Sequence, residues 1–337
     1  MSSREPSAVI FGCAGPELSA GERDFFRAAA PLGFILFQRN CETPAQVGAL
    51  VAALRQAVER HDAPVLIDQE GGRVQRLKPP HWPAYPAAAA LAALGAHAEE
   101  AVRLVARLIA DDLARSGITV DCLPVVDVPV AGADKVIGDR AYGDEPGRVA
   151  TLGRAACEGL LAGGVLPVVK HIPGYGRAML DPHLALPRVD AARAELEARD
   201  FAPFRALADM PLAMTAHIVY TAIDPGRPAT LSARVIGEVI RSGIGYDGLL
   251  LTDDLSMRAL GGGFGERAAA ALAAGCDVVL HCNGDMAEMS AVAAAVGALS
   301  DAARQRLARA EARRVAPEPL DRGAAEARFR ALTAGEA

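Results

Sequence analysis

The densest concentration of chemically active side chains follows a short apolar run at residues 166–169. Pro173, Gly174 and Gly176 interrupt any strand or helix there, so the chain must form a shaped loop. Long shaped loops of this kind are usually functional. The polar residues of this loop are Lys170, His171, Tyr175, Arg177, Asp181 and His183.

Within this loop, Asp181 and His183 are separated by one residue. In an extended segment that spacing puts both side chains on the same side, where the carboxylate can hydrogen-bond the imidazole. A carboxylate in that position fixes the imidazole tautomer and raises its proton affinity. A structural hydrogen bond within the loop remains the alternative interpretation.

A second candidate is Asp253, which follows a four-residue run ending at Thr252. At a strand end its carboxylate could act as a nucleophile, a general base, a metal ligand or a structural hydrogen-bond acceptor. Asp254 is adjacent to it, and neighbouring strand residues face opposite ways. We therefore expect only one of the two carboxylates to face a substrate.

A third candidate is the segment 68–76, which combines Asp68, a Gly-Gly turn, Arg73 and Arg76. Carboxylates and guanidinium groups form strong charge-assisted hydrogen bonds and suit the recognition of sugar hydroxyls. A surface loop closed by an internal ion pair is the competing interpretation.

Strand-like and helical patterns alternate along the chain and must position these residues. The predicted strands lie at residues 8–13, 33–38, 64–67, 120–126, 166–169, 212–215, 248–251 and 277–280. The predicted helices lie at residues 22–30, 98–116, 190–208, 232–241 and 266–274, with a helix capped by Thr43, another ending near residue 162, and two or three after residue 285. Asp190 is the predicted cap of the 190–208 helix.

Eight apolar strands, most of them followed by a helix, predict an α/β protein with a parallel sheet covered on both faces. At 337 residues the simplest arrangement is a single-domain (β/α)8 TIM-type barrel that spans residues 1–337 and ends in C-terminal helices. An open doubly wound sheet is the alternative, but no G-x-G-x-x-G follows the first strand.

Ionisable residues follow seven of the eight predicted strands. They are Arg39, Asp68, Asp127, Lys170 with His171, His217, Asp253 with Asp254, and His281. Because the carboxyl ends of barrel strands share one face, these groups are predicted to surround one pocket.

Composition excludes several classes of function. The net charge of −6 and the lack of a basic patch argue against nucleic-acid binding. No apolar run is long enough for a membrane span and the N-terminus does not read as a secretory signal, so we expect a cytoplasmic protein. The six cysteines form no CxxC pair and are predicted to be buried free thiols. We expect a small-molecule substrate, no cofactor, no metal, and a monomer or weak homo-oligomer.

Several segments together resemble β-N-acetylhexosaminidases of glycoside hydrolase family 3. The segments are Lys-His-Ile-Pro-Gly-Tyr-Gly at 170–176 followed by Asp181 and His183, Ile-Asp-Gln-Glu-Gly-Gly-Arg-Val at 67–74, Ile-Gly-Asp-Arg-Ala-Tyr-Gly at 137–143, and Thr-Asp-Asp-Leu-Ser-Met at 252–257. They occur in the family's order and span about residues 8 to 290. The resemblance is closest to single-domain cytoplasmic enzymes of bacterial cell-wall recycling, which lack the family's second domain.

This resemblance implies a retaining mechanism on N-acetylglucosamine–1,6-anhydro-N-acetylmuramic acid fragments. Asp253 would be the nucleophile that forms a covalent glycosyl-enzyme, and His183, oriented by Asp181, would be the acid/base. Most glycosidases use a second carboxyl group in that role. The implied sugar-binding residues are Asp68, Arg76, Arg140, Lys170 and His171.

Two residues depart from the family pattern, which commonly has His where this chain has Tyr175 and Ser or Thr where it has Pro182. Neither change affects Asp253, Asp181 or His183, so we expect activity, with an altered rate or leaving-group preference. Three other functions compete: a Schiff-base aldolase that uses Lys170, a metal-dependent hydrolase, and a sugar-binding protein without turnover. The residues considered for the metal site are Asp68, His171, His217 and His281.

Overall fold

Eight parallel strands close into a barrel in the computed structural model, which describes residues 5–180 and 185–334. The strands are β1 (Ser7–Phe11), β2 (Pro31–Leu36), β3 (Val65–Ile67), β4 (Val120–Asp121), β5 (Leu166–Ile172), β6 (Arg188–Val189), β7 (Leu212–Thr215), β8 (Val219–Tyr220), β9 (Leu249–Asp254) and β10 (Val278–His281). Around the barrel the order is β1-β10-β9-β7-β5-β4-β3-β2, while β6 and β8 pair separately. The predicted (β/α)8 fold is confirmed.

Strand alternation divides the apolar residues between two cores. Along β1, Ala8 and Ile10 belong to the cluster inside the barrel, whereas Val9 and Phe11 belong to the larger cluster between strands and helices. Nearly every strand residue is buried, because one face of each strand meets the barrel interior and the other meets a helix.

Helices surround the barrel. They are α1 (Ala20–Ala29), α2 (Pro44–Ala57), α3 (Ala88–Ala92), α4 (Ala98–Arg115), α5 (Pro146–Ala162), α6 (Arg193–Ala198), α7 (Ala202–Ala206), a π-type helix (Val235–Ile244), α8 (Phe264–Ala274), α9 (Met286–Ala295), α10 (Asp301–Ala312) and α11 (Arg322–Ala334). As predicted, Thr43 caps α2 by accepting a hydrogen bond from the Gln46 amide, with Pro44 in the first turn.

The fourth strand is shorter than the predicted 120–126. Regular pairing stops at Asp121, although the segment continues beside β5, where the Val126 amide donates to the Lys170 carbonyl at 2.9 Å. Pro124 lacks an amide hydrogen and so interrupts the ladder. The segment still carries Asp127 to the carboxyl end of the barrel.

The predicted helix from Asp190 to residue 208 is wrong. Two short helices replace it, and α6 begins after Ala192 without a side-chain cap. Pro203 breaks the continuity because it supplies no backbone donor to the preceding turn. Asp200, in the gap, instead accepts a hydrogen bond from Arg177 Nε at 2.7 Å.

The predicted helix at 232–241 begins as expected, after Ser232, but ends three residues later, at Ile244. Ser232 lies before the helix and its hydroxyl accepts a hydrogen bond from the Val235 amide. The helical segment, Val235–Ile244, is π-type and ends at Gly245, which has a φ of 81°. A glycine adopts this left-handed conformation without steric cost.

All six cysteines are free and buried, as predicted. Among the described residues, no helix combines the length and apolar character needed to cross a bilayer.

Gly176 is predicted to be essential to the base of the loop that follows β5. A Cβ at this position would lie 2.0 Å from the Val128 carbonyl oxygen. Gly176→Ala must therefore displace the backbone, and we expect it to lower the free energy of unfolding by about 1–3 kcal/mol. Urea denaturation measures this loss.

The matched control is Gly48→Ala, inside helix α2, where an added Cβ meets nothing within 4 Å. This variant should be neutral or more stable than wild type, because alanine favours helix more than glycine does. Equal stability of Gly176→Ala and wild type would contradict the close packing.

Candidate active site

A cavity of about 380 Å³ opens at the carboxyl ends of the barrel strands. Six of the eight residues predicted from sequence for the site line it, namely Asp68, Arg76, Arg140, Lys170, His171 and Asp253. Residues from β3, β5 and β9 therefore meet at one place, as the barrel geometry requires. Asp181 and His183, the other two, lie outside the described residues.

Asp68 follows β3 and is held between two cations. Its Oδ1 accepts a hydrogen bond from Lys170 Nζ at 2.8 Å, and its Oδ2 accepts one from Arg76 Nη2 at 3.0 Å. Burial alone would raise the pKa of Asp68, but the Lys170 ammonium and the Arg76 guanidinium hold this pKa well below its usual range. Asp68 is therefore a carboxylate at any physiological pH.

Glu70 is a site residue that the sequence analysis did not single out. Both of its oxygens accept hydrogen bonds from the Arg140 guanidinium at 2.8 Å, and Lys170 Nζ lies 2.7 Å from Oε1. Burial opposes the charge of Glu70, but Arg140 and Lys170 lower its pKa to about 2. The sequence feature that could have identified Glu70 is its position two residues after Asp68 and directly before a Gly-Gly turn.

Lys170 lies two residues before the end of β5, is almost fully buried, and pairs with both carboxylates. Burial alone would lower the pKa of Lys170, but Asp68 and Glu70 raise it above the ordinary value. Schiff-base chemistry needs a neutral amine with a lowered pKa. The geometry therefore argues against the aldolase interpretation.

His171 faces the cavity from the residue after Lys170. Its Nδ1 lies 2.7 Å from Asp127 Oδ2, while Asp127 Oδ1 accepts hydrogen bonds from the amides of His171 and Tyr175. Asp127 is fully buried. A proton on Nδ1 donated to this carboxylate leaves Nε2 as the ring nitrogen available for a ligand. Asp127 was noted in the sequence only as a strand-end residue.

Asp253 and Asp254 end β9 and differ in how their carboxylates are used. Asp254 Oδ1 accepts from the amides of Ser256 and Cys282, and Oδ2 accepts from the Ser256 hydroxyl at 2.6 Å. Asp253 Oδ1 accepts from the Asp254 amide at 2.8 Å. The Asp254 carboxylate thus closes the turn after β9, whereas the Asp253 carboxylate at the cavity wall has fewer partners among the described residues.

His217 supports this strand end from below. Its Nε2 lies 3.0 Å from the Asp254 carbonyl oxygen and its Nδ1 lies 2.7 Å from the Thr230 hydroxyl. Burial lowers the pKa of His217, although Asp253 opposes that change. We interpret His217 as a neutral imidazole that donates from Nε2 and fixes the end of β9.

Two other strand-end residues, Arg39 and His281, do not line the cavity and have structural partners. Arg39 donates from Nε to the Cys13 carbonyl at 2.9 Å and also contacts the Cys282 carbonyl. His281 is fully buried and its Nε2 lies 2.9 Å from Glu288. Among residues 5–180 and 185–334, no three His, Cys, Asp or Glu side chains form a group that could hold a metal ion.

The loop that leads toward Asp181 starts at the cavity. Tyr175 is buried, lines the cavity, and lies edge-on to His171 with ring centroids 6.0 Å apart. Its hydroxyl donates to the Leu180 carbonyl at 2.9 Å. Tyr175 therefore ties the residue before Asp181 to the cavity wall.

Comparison with known proteins identifies the family. Residues 28–317 match the model of the glycosyl hydrolase family 3 N-terminal domain. The β-hexosaminidase of Alkalilimnicola ehrlichii is 40% identical over 282 residues, which are 82% of this chain and 80% of that protein. This chain belongs to glycoside hydrolase family 3.

Further relatives extend the match over most of the barrel. The β-hexosaminidase of Xanthomonas axonopodis pv. citri is 39% identical over 308 residues, which are 88% of this chain and 89% of that protein. The crystal structure of NagZ from Neisseria gonorrhoeae in complex with N-trifluoroacetyl-D-glucosamine is 31% identical. It superposes with a TM-score of 0.84 over 98% of this chain and 97% of that one. The chain is accordingly an enzyme, a glycoside hydrolase.

Substitution of Glu70 should reveal its charge through the pH dependence of stability. The pKa of Glu70 is about 2 in the folded protein, below the ordinary 4.5, so its stabilising contribution is complete above about pH 4.5. That contribution is lost as the pH falls through about 2. Glu70→Gln should lower the free energy of unfolding at pH 7, on the order of 3 kcal/mol. The difference should shrink as the pH approaches 2.

Urea denaturation between pH 2 and pH 7 measures this difference. Glu17→Gln, at an exposed position, is the control and should follow wild type throughout. If Glu70→Gln lowers the free energy of unfolding by the same amount at every pH, the ionised, cation-paired state of Glu70 is contradicted.

Proposed function

We propose that the chain is a retaining β-N-acetylglucosaminidase that removes terminal N-acetylglucosamine from peptidoglycan fragments of the N-acetylglucosamine–1,6-anhydro-N-acetylmuramic acid type. One observation carries the proposal: a charged wall formed by Asp68, Arg76, Arg140, Lys170 and His171 shares one cavity with the Asp253 carboxylate, which has one hydrogen-bond donor among the described residues. Membership of glycoside hydrolase family 3 and the β-hexosaminidase relatives support the reaction class.

The charged wall is suited to bind a sugar. Asp68, Arg76, Arg140, Lys170 and His171 present carboxylate oxygens, cationic N–H groups and an imidazole toward the cavity. Neighbouring hydroxyls of a pyranose act at once as donors and acceptors, so alternating carboxylates and cations satisfy them with charge-assisted bonds. The bound N-trifluoroacetyl-D-glucosamine of the Neisseria gonorrhoeae relative supports an amino sugar as the unit recognised.

In the first chemical step, the Asp253 carboxylate attacks the anomeric carbon and the bond from that carbon to the aglycone oxygen breaks. His183, oriented by Asp181, gives its proton to the departing oxygen. In the second step, His183 takes a proton from water, whose oxygen attacks the anomeric carbon and releases Asp253. Two inversions at one carbon give net retention.

One observation supports the assignment of the proton donor, and another supports the proposed compartment. Tyr175 holds Leu180, the residue before Asp181, at the wall of the cavity, which favours a proton donor from the residues that follow. The six buried free thiols fit a reducing compartment, and we propose that the enzyme acts in the cytoplasm.

Two variants test the roles of the nucleophile and the acid. Asp253→Asn should abolish release of p-nitrophenol from p-nitrophenyl β-N-acetylglucosaminide, because an amide cannot form the glycosyl ester. His183→Ala should lose about 10²–10⁴-fold in kcat/KM on substrates with a poor leaving group. That loss should shrink when the leaving group is already acidic, because protonation then contributes little.

Asp62→Asn, at an exposed position away from the cavity, is the control and should match wild type. A His183→Ala loss independent of leaving-group acidity would overturn the acid role. Binding of N-acetylglucosamine by wild type without any release of p-nitrophenol would instead identify a sugar-binding protein without turnover.

The stereochemical outcome tests the covalent route. Proton NMR during early hydrolysis of a β-glycoside should show β-N-acetylglucosamine first, with the α anomer appearing later by mutarotation. An α anomer as the first product would mean a single displacement and would exclude Asp253 as nucleophile.

A further inference from the structure

The residues that follow β3 form a loop, residues 68–77, that we name the β3 loop. It carries Asp68 and Arg76 to the cavity wall and Glu70 to the Lys170 ammonium behind that wall. Buried hydrogen bonds close it internally: Gln69 Oε1 accepts from the amides of Arg76 and Leu77 at 2.9 and 3.0 Å. The positions of its charged groups therefore depend on what fixes the loop as a unit.

A second segment, residues 83–87, supports the β3 loop from outside the cavity. The Gly72 amide donates to the Tyr85 carbonyl at 2.8 Å, and the Tyr85 amide donates to Gln75 Oε1 at 3.0 Å. A Cβ on Gly71 would lie 2.3 Å from the Pro86 carbonyl oxygen. The two segments are in direct backbone contact, so displacement of Tyr85 must displace the β3 loop.

Tyr85 is in turn fixed by the outer helices. Its hydroxyl donates to Asp112 Oδ2 on α4 at 2.6 Å. Arg322, on α11, donates from Nη1 to the other Asp112 oxygen at 2.6 Å and places Nη2 3.4 Å from the Tyr85 hydroxyl. Asp112 is buried and Arg322 is three-quarters buried at its side chain. This partly buried triad connects the last helix to the β3 loop.

We propose that Arg322 is a positioning residue for the sugar-binding half of the site, and that it acts through Asp112 and Tyr85 on the β3 loop. The expected change in KM rests on the proposed function. The expected change in the position of the β3 loop rests only on hydrogen bonds of the described residues. Arg322 does not touch the cavity.

Removal of the Arg322 side chain should have a different effect from removal of a contact that only docks the helix. Loss of the guanidinium leaves the buried Asp112 carboxylate with one donor among the described residues, the neutral Tyr85 hydroxyl. A buried charge with so little compensation is unstable in place, so Asp112 no longer fixes the position of Tyr85. The groups displaced would be those of the β3 loop, whereas Asp253 belongs to β9 on another part of the barrel. We therefore expect KM to rise while kcat changes little.

Helix α11 supplies a matched control. Arg328 docks the same helix on α4 through two hydrogen bonds to Glu100, at 2.7 and 2.8 Å. Both side chains of that pair are about half exposed, and neither contacts Tyr85 or Asp112 in the bonds that the structure shows. Arg328→Ala therefore loosens α11 without breaking the link to the β3 loop.

The experiment compares Arg322→Ala, Tyr85→Phe, the double variant and Arg328→Ala in the full chain. Hydrogen–deuterium exchange reports amide protection in residues 68–77, and hydrolysis of p-nitrophenyl β-N-acetylglucosaminide reports kcat and KM. We expect faster exchange across the β3 loop and a rise in KM of about three- to tenfold in Arg322→Ala and Tyr85→Phe. The double variant should resemble either single one, because both break the same link.

Arg328→Ala should keep wild-type exchange in the β3 loop and wild-type KM. The proposal is overturned if Arg328→Ala and Arg322→Ala change β3-loop exchange equally, or if the effects of Arg322→Ala and Tyr85→Phe add in full. If Arg322→Ala does not fold, Tyr85→Phe against Arg328→Ala decides the question alone. A wild-type protein inert toward amino sugars would defeat the proposed function and leave the exchange comparison as the test of the link.

Discussion

The buried ammonium of Lys170 is the interaction on which the site depends. It lies between Asp68 and Glu70, at 2.8 and 2.7 Å, with almost no exposure to solvent. A lone charge in such a place would be neutralised or expelled, and a buried ion pair persists only when its remaining donors and acceptors are satisfied. Arg76 and Arg140 meet that condition by bonding the free oxygens of the two carboxylates. The four bonds join β3, β5 and the loop before α5.

This network explains why the half of the cavity that we propose to bind sugar can be formed before any substrate arrives. Its carboxylates and cations are already paired with one another, so folding and not binding orders the side chains. Asp253 differs, since its carboxylate accepts a hydrogen bond from the amide of the next residue in the chain. Among the described residues, the proposed binding residues have many partners, while the carboxylate of the proposed nucleophile has one hydrogen-bond donor and can meet an anomeric carbon.

Much of this arrangement could be predicted from sequence, and the exceptions have physical causes. Alternating apolar runs specified the barrel, and polar strand ends placed Lys170 and Asp253 at one face, because a parallel barrel brings all carboxyl ends together. Sequence position alone did not separate His281, which is buried against Glu288, from His171, which lines the cavity. Which way a strand-end side chain turns depends on partners distant in the chain, and those become visible only in the fold.

Glu70 and Asp127 are the converse case: they support the site, but their positions in the sequence did not reveal that role. Each is a carboxylate whose role comes from its partner, the first bonding Arg140 seventy residues later and the second orienting His171 from the preceding barrel segment. A pattern search for reactive residues favours groups that could act on a substrate and passes over groups that hold those residues in place. In this cavity both kinds are needed, because the cations that we propose to bind sugar would be neither buried nor oriented without the carboxylates behind them.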